Sequence, residues 1–258
     1  MSPLLSIQGL RVGYANRASR HTRSNLVIDD MDLEVFEGET LAVVGESGAG
    51  KSTLAEAIIG LIQPTDGSIR FDGTELVGLR GRNRRRIRSR MQMVAQNPLL
   101  ALNPRRPIGN QVEEPLLVHT RLKRVQRRLR ADEMMAALDL SPAMRDRLPH
   151  ELSGGQAQRV VLARALVLEP SMMIFDEPTS SLDVSVQAGV LNLLQQLKAD
   201  RSLTYLFITH DLGVARHLAD RIAVMRFGEI VEKQATRALF EAPQHSYTCT
   251  LLGSSLTV

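Results

Sequence analysis

Residues Ala42–Gly60 read AVVGESGAGKSTLAEAIIG. An apolar run, Leu41–Val44, enters the turn Gly45-x-x-x-x-Gly50-Lys51-Ser52, and a helical pattern over Lys51–Leu61 leaves it. In a strand–turn–helix setting, glycines let successive backbone N–H groups converge on one anion, and the helix N-terminus adds its partial positive charge. The cradle comprises Gly45, Glu46, Ser47, Gly48, Ala49, Gly50, Lys51, Ser52 and Thr53. Lys51 is expected to bridge the β- and γ-phosphates of a nucleotide, and the Ser52 hydroxyl to ligate Mg²⁺. A second glycine-rich helix start lies downstream, ELSGGQAQRVVLARAL over Glu151–Leu166.

Working outward, short β-rich runs recur: LSIQGLRVGY, LAVVG, SIRFDG, MQMVAQ, SMMIFDE, TYLFITH and RIAVMRFGEIVE. Helical patterns separate several of them, at Lys51–Leu61, Gln156–Leu168, Ser185–Lys198 and Asp211–Leu218. Strands alternating with helices predict an α/β fold, a mainly parallel sheet with helices on its faces. Leu5–Tyr14 and Met31–Glu37 look hairpin-like and predict an antiparallel flank. Between Gln96 and Leu152 strand runs vanish, and an inserted helical subdomain is expected there. Asn16–Asn25 is polar and basic and reads as a surface loop.

The totals set bounds. A chain of 258 residues, 43% hydrophobic, accommodates one large α/β domain or a core with a small insertion. Aromatics make up 3% and tryptophan is absent, which leaves few stacking platforms for bases. A formal charge of +4 is a weak bias. Seven arginines crowd Arg80–Arg90, without an interleaved aromatic, and predict a solvated face or one meeting an acidic partner or lipid headgroups; Arg121–Arg130 reads the same way. The single cysteine, Cys249, excludes an intrachain disulfide and is expected to be a buried or inert thiol. No apolar run approaches the ~18–20 residues of a membrane span, and the N-terminal residues lack signal-peptide features. The expected location is cytosolic, with any membrane attachment made through another protein.

MMIFDE, Met172–Glu177, is an apolar strand ending in two carboxylates. Asp176 is placed to hold Mg²⁺ through its hydration shell, and Glu177 to orient or deprotonate an attacking water. Ser153 and the amides of Gly154 and Gly155 cap a helix start, a second anion site.

LSGGQ, Leu152–Gln156, together with the Walker A pattern at Gly45–Ser52, makes the chain resemble an ATP-binding-cassette ATPase over about Leu4–Leu252. The resemblance implies a RecA-like P-loop NTPase core over about 4–95 and 153–240, a helical subdomain over about 96–152, and a tail, 241–258. Tyr14 matches the adenine-stacking aromatic, and Gln96 the glutamine that contacts Mg²⁺ or water and reports to a membrane partner. Ser181-Leu182-Asp183 matches the loop linking two active sites, though alanine is commoner at Ser181. His210 matches the histidine that touches the γ-phosphate. The implied catalytic residues are thus Glu177, His210, Lys51 and Gln96. Tyr14, the Gly45–Thr53 loop, Ser153, Gly154, Gly155, Gln156 and Asp183 bind ATP, and Ser52, Gln96 and Asp176 serve Mg²⁺. In such ATPases two subunits meet head to tail, so each LSGGQ closes over its partner's ATP.

QNPLLALNPRRPIG (Gln96–Gly109), DVSVQAGVLNLLQQL (Asp183–Leu197) and LFEAPQHSYTCTLL (Leu239–Leu252) resemble the peptide/opine/nickel importer group, most of all the second ATPase of oligopeptide or dipeptide uptake systems. Ser246 stands where that tail usually carries proline. The resemblance implies two integral membrane permeases, a second and different ATPase, an extracytoplasmic substrate-binding protein, no nucleic acid, and a peripheral place on the cytoplasmic face of the inner membrane. Peptide, nickel chelate and opine remain open as cargo. Two alternatives stay in view: a non-transport cassette ATPase acting on nucleic acid or ribosomes, and a P-loop phosphotransferase, which leaves LSGGQ, Gln96 and His210 unexplained.

Overall fold

A computed structural model describes residues 2–14, 25–179 and 183–255. The strands are β1 (Leu5–Tyr14), β2 (Asn25–Val35), β3 (Thr40–Val44), β4 (Asp66–Phe71), β5 (Thr74–Glu75), β6 (Met91–Val94), β7 (Met172–Asp176), β8 (Thr204–Thr209), β9 (Arg221–Arg226) and β10 (Glu229–Ala235). The α-helices are α1 (Lys51–Ile58), α2 (Gly81–Arg90), α3 (Ile108–His119), α4 (Arg124–Ala137), α5 (Gly154–Leu166), α6 (Val184–Arg201), α7 (Leu212–Leu218), α8 (Thr236–Glu241) and α9 (Ser246–Ser255). They fall into two compact units, one of residues 1–84 with 204–258, the other of residues 85–203.

In the first unit β3 pairs in parallel with β8 on one side and β9 on the other. Every residue of β3 and β8 is buried, which is why both read as unbroken apolar runs rather than alternating ones. RIAVMRFGEIVE is two strands, not one. β9 and β10 form an antiparallel hairpin whose two turn residues, Phe227 and Gly228, have φ of 48° and 87°. Positive φ at both central positions matches the right-handed twist of the paired strands. The flank is antiparallel as expected, in the order β2-β1-β4-β5. Its β2 starts at Asn25, ahead of the expected Met31, because Asn25, Leu26 and Ile28 pair with Tyr14, Gly13 and Val12. In β1, Leu5 and Ile7 face inward, then Leu10 and Val12; the phase slips by one at Gly9, whose φ of 55° makes a bulge.

In the second unit β6 and β7 are parallel partners, from Met91 opposite Met172 to Val94 opposite Phe175. Helices α3 and α4 lie within 96–152, the range expected to be helical. A charged seam joins them. Arg145, 8% exposed, pairs with Glu113 (3.1 Å) and Asp132, while Arg127 reaches the other oxygen of Glu113 (3.3 Å). Helix α2 has no buried residue, in line with a solvated arginine face.

Of the two readings expected for Cys249, buried or inert, burial does not hold: the residue is exposed. Helix α9 turns Tyr247 and Leu252 into the apolar cluster beneath it, and Cys249 falls on the outer side. Among the described residues, no helix is long and apolar enough to cross a membrane.

Candidate active site

The loop between β3 and α1 is held by three hydrogen bonds, one of them within the loop. Gly228 N–H donates to Ala49 O (3.0 Å), Ala49 N–H to Glu46 O (3.2 Å), and Glu46 N–H to the Tyr247 hydroxyl (3.3 Å). Gly45 is packed so closely on β9 that a Cβ there would lie 2.1 Å from Met225 O. Gly50 sits in the left-handed region, φ 104°, as the N-cap of α1. No side chain caps that helix. A helix N-terminus of this kind carries partial positive charge and favours an anion. Nothing lies within 4 Å of where a Cβ on Gly48 would stand, so the loop has open space beside it. Lys51, 5% exposed, folds back and donates from Nζ to Gly45 O and Glu46 O, each at 2.9 Å. His210, at the end of the buried strand β8 in the same unit, is exposed. Tyr14 ends β1, and its side chain lies outside the described residues, as do Ser181 and Leu182.

The second unit brings Gln96 and Glu177 together across 81 positions of sequence. Gln96 Nε2 donates to Glu177 Oε2 at 3.4 Å. Gln96 follows β6 and Glu177 follows β7, and the parallel pairing of those strands places both ends side by side. Asp176, 8% exposed, is the last residue of β7. Glu177 carries φ 47°, a left-handed conformation rare for a side chain of its size.

The LSGGQ helix start differs from that of α1. Ser153 Oγ accepts from Gln156 N–H (3.3 Å) and Gln156 Oε1 accepts from Ser153 N–H (3.1 Å), a reciprocal capping box. Ser153 and Gly154 are exposed. A Cβ on Gly155 would lie 2.9 Å from Val186 Cγ1, so α5 and α6 begin in close contact. Asp183 caps α6, its carboxylate accepting from Val186 N–H at 2.9 Å. Further along α5, Arg164 donates to Ala101 O (2.5 Å), tying this helix to the loop after Gln96. Burial pushes the Arg164 guanidinium below its usual value, with Glu114 acting against the shift.

The donors expected for Mg²⁺, a helix-start hydroxyl (Ser52), a buried carboxylate (Asp176) and an amide (Gln96), supply the oxygen ligands that this hard cation takes. Sequence reasoning missed Tyr247 as a neighbour of the phosphate loop. No local pattern could reveal it, since the contact joins residues 201 positions apart.

The ABC transporter family model matches residues 28–180. The oligopeptide transport ATP-binding protein OppF of Salmonella typhimurium is 48% identical over 257 residues, covering 97% of this chain and 77% of that protein. The di/tripeptide transport ATP-binding protein DppF of Pseudomonas aeruginosa is 47% identical over 228 residues, 88% of this chain and 71% of its own length. Among solved structures, the dimeric post-hydrolysis ATP-binding cassette MJ0796 with ADP and Pi superposes with a TM-score of 0.80 at 30% identity, covering 90% of this chain and 99% of that one. With both glycine-rich helix starts and the strand-end carboxylates lying in a chain so matched along nearly its whole length, the protein belongs to the ABC transporter family.

Proposed function

We propose that the chain is the ATP-hydrolysing motor subunit of a peptide importer. Lys51 and the amides of Gly45–Thr53 hold the β- and γ-phosphates, Tyr14 stacks on the adenine, and Ser52, Asp176 and Gln96 serve Mg²⁺, which offsets charge on the phosphates when bound. Glu177 orients the attacking water and takes its proton, Gln96 steadies the Glu177 carboxylate, and His210 contacts the γ-phosphate. Ser153, Gly154, Gly155, Gln156 and Asp183 act on the nucleotide of a partner ATPase in a head-to-tail pair. The observation that carries the catalytic half of this reading is the Gln96–Glu177 contact, which brings an amide donor to the carboxylate at the end of an apolar strand.

Peptide as cargo rests on the relatives named for oligopeptide and di/tripeptide transport. By the same likeness the partners are two membrane permeases, a second ATPase and, indirectly, an extracytoplasmic binding protein, with the chain peripheral on the cytoplasmic face. Nucleic acid or ribosomes are not favoured, since the relatives are transport proteins.

The test uses tagged Glu177→Gln protein purified with ATP from detergent-solubilised membranes of its source cell. The variant is expected to bind ATP, to hydrolyse it at least about a hundredfold more slowly, and to bring down two polytopic proteins with a second cassette ATPase. Near-normal turnover would overturn the role of Glu177. A soluble preparation carrying nucleic acid or ribosomes and no permease would overturn transport.

A further inference from the structure

We propose that Tyr247, in the C-terminal helix α9, is a positioning residue for the phosphate loop, fixing the peptide between Gly45 and Glu46 in the orientation that receives nucleotide. The inference rests on the ATP-binding reading of that loop. This peptide is gripped at both ends: its carbonyl, Gly45 O, accepts from Lys51 Nζ at 2.9 Å, and its N–H, on Glu46, donates to the Tyr247 hydroxyl at 3.3 Å. Because a peptide unit is planar, holding its oxygen and its hydrogen sets its rotation. To reach a bound phosphate, Lys51 gives up loop carbonyls. Tyr247 then keeps the Glu46 N–H turned toward the tail and leaves the remaining loop amides to face the anion.

Tyr247 is itself firmly seated. It is 6% exposed in one apolar cluster with Ala42 and Val44 of β3, the strand that feeds the loop. The Arg226 guanidinium lies 4.6 Å from its ring centroid. The chain just before α9 is pinned to β10, where Gln244 N–H and His245 N–H donate to the two oxygens of Glu232 at 2.8 and 3.0 Å. Tyr247 N–H donates to His245 Nδ1 at 3.1 Å, which locks the entry to the helix. The tail is thereby a strut that runs from β10 to the loop.

The experiment measures MgATP binding to the full chain by calorimetry, steady-state hydrolysis, and melting temperature. Tyr247→Phe keeps the ring and its stacking partner and deletes only the oxygen. Loss of one neutral hydrogen bond is expected to raise the ATP dissociation constant about three- to tenfold, with KM following. The kcat at saturating ATP is expected to stay within about twofold, since Tyr247 touches no reacting atom. Leu252→Ala loosens the same cluster without touching the loop, and is expected to lower the melting temperature with no such change in affinity. Wild-type affinity in Tyr247→Phe would overturn the proposal. So would an equal loss of affinity in Leu252→Ala, which would mark general loosening. Failure of the wild-type chain to bind MgATP would instead overturn the nucleotide reading of the loop beneath it.

Discussion

Glu177 stands in the left-handed region at φ 47°, immediately beyond a strand whose residues are all buried. A non-glycine residue held there costs about 1–2 kcal/mol, and such strain persists where the surroundings fix it. Asparagine tolerates this conformation better and lacks a basic carboxylate. Glu177→Asn is therefore expected to keep or slightly raise the melting temperature while slowing hydrolysis by at least about a hundredfold. A calorimetric scan beside an ATPase assay checks both halves; a large fall in stability would mean that the carboxylate, not the backbone, governs this position. Lys51 poses the opposite case. Its ammonium is held against the loop by two carbonyl acceptors, each at 2.9 Å. Lys51→Ala is expected to weaken ATP binding by at least about tenfold, as read by calorimetry, because the charged bonds proposed for it with phosphate would have no substitute.

At the scale of elements, the tail's attachment to β10 depends on an ionised Glu232, 8% exposed. Burial works against its charged form, but the Thr248 hydroxyl, the Gln244 and His245 N–H groups and the Gln234 amide gathered around it outweigh burial and hold its pKa below the usual carboxylate value. A carboxylate whose folded pKa is depressed stabilises the fold fully above its unfolded pKa of about 4.3, and the contribution fades as pH falls through the lower folded value. Glu232→Gln is expected to melt below the wild type at pH 6–7, and the gap to narrow as the pH drops under about 4. A gap that stayed constant in a melting series against pH would show that the charge contributes nothing. Helix α5 carries a different kind of cost. Gln158 is fully buried, and among the described residues neither its Nε2 nor its Oε1 has a hydrogen-bond partner. Such an orphan amide costs about 1–3 kcal/mol, so Gln158→Met is expected to raise the melting temperature by a few degrees. An unchanged or lower value in a thermal melt would show that Gln158 finds a partner in solution.

These elements also mark where the sequence was legible. Strands β3, β7 and β8 announce themselves because parallel strands buried on both faces need continuous apolar runs, and the start of α5 because Ser153 and Gln156 have capping-box spacing. The β9–β10 hairpin was hidden, since Phe227 is an unusual residue for a two-residue turn and its neighbours are as strand-like as the strands. The bulge at Gly9 and the outward Cys249 were hidden for a related reason: each depends on which face packs, which is settled by partners distant in sequence. The Gly45–Ser52 turn and the strand-end pair Asp176 and Glu177 are local patterns in the sequence, whereas the Gln96–Glu177 and Glu46–Tyr247 contacts exist only after folding.

For the whole molecule, the telling contrast is between two helix starts. That of α1 lacks a side-chain cap and opens with Lys51, the lysine proposed to hold phosphate; that of α5 is already capped by its own Ser153 and Gln156, yet exposes Ser153 and Gly154. An exposed serine and glycine at a capped helix start form a surface suited to approach by another molecule's backbone or ligand. The proposed head-to-tail pairing gives this surface a task, and the dimeric cassette MJ0796 shows that a relative of this fold assembles in pairs. The prediction is directional. In a reconstituted complex holding this chain and its partner ATPase, Lys51→Ala is expected to abolish photolabelling of this chain by an ATP analogue trapped during turnover. Gly154→Asp places a negative charge where a partner's phosphate is to dock, so it is expected to spare labelling of this chain and to cut labelling of the partner roughly tenfold or more. The reverse result, label lost from this chain and kept on the partner, would mean that the LSGGQ turn serves the nucleotide of its own chain. Equal loss from both would mean that the pair hydrolyses as one inseparable unit, and would remove the one-turn, one-partner assignment.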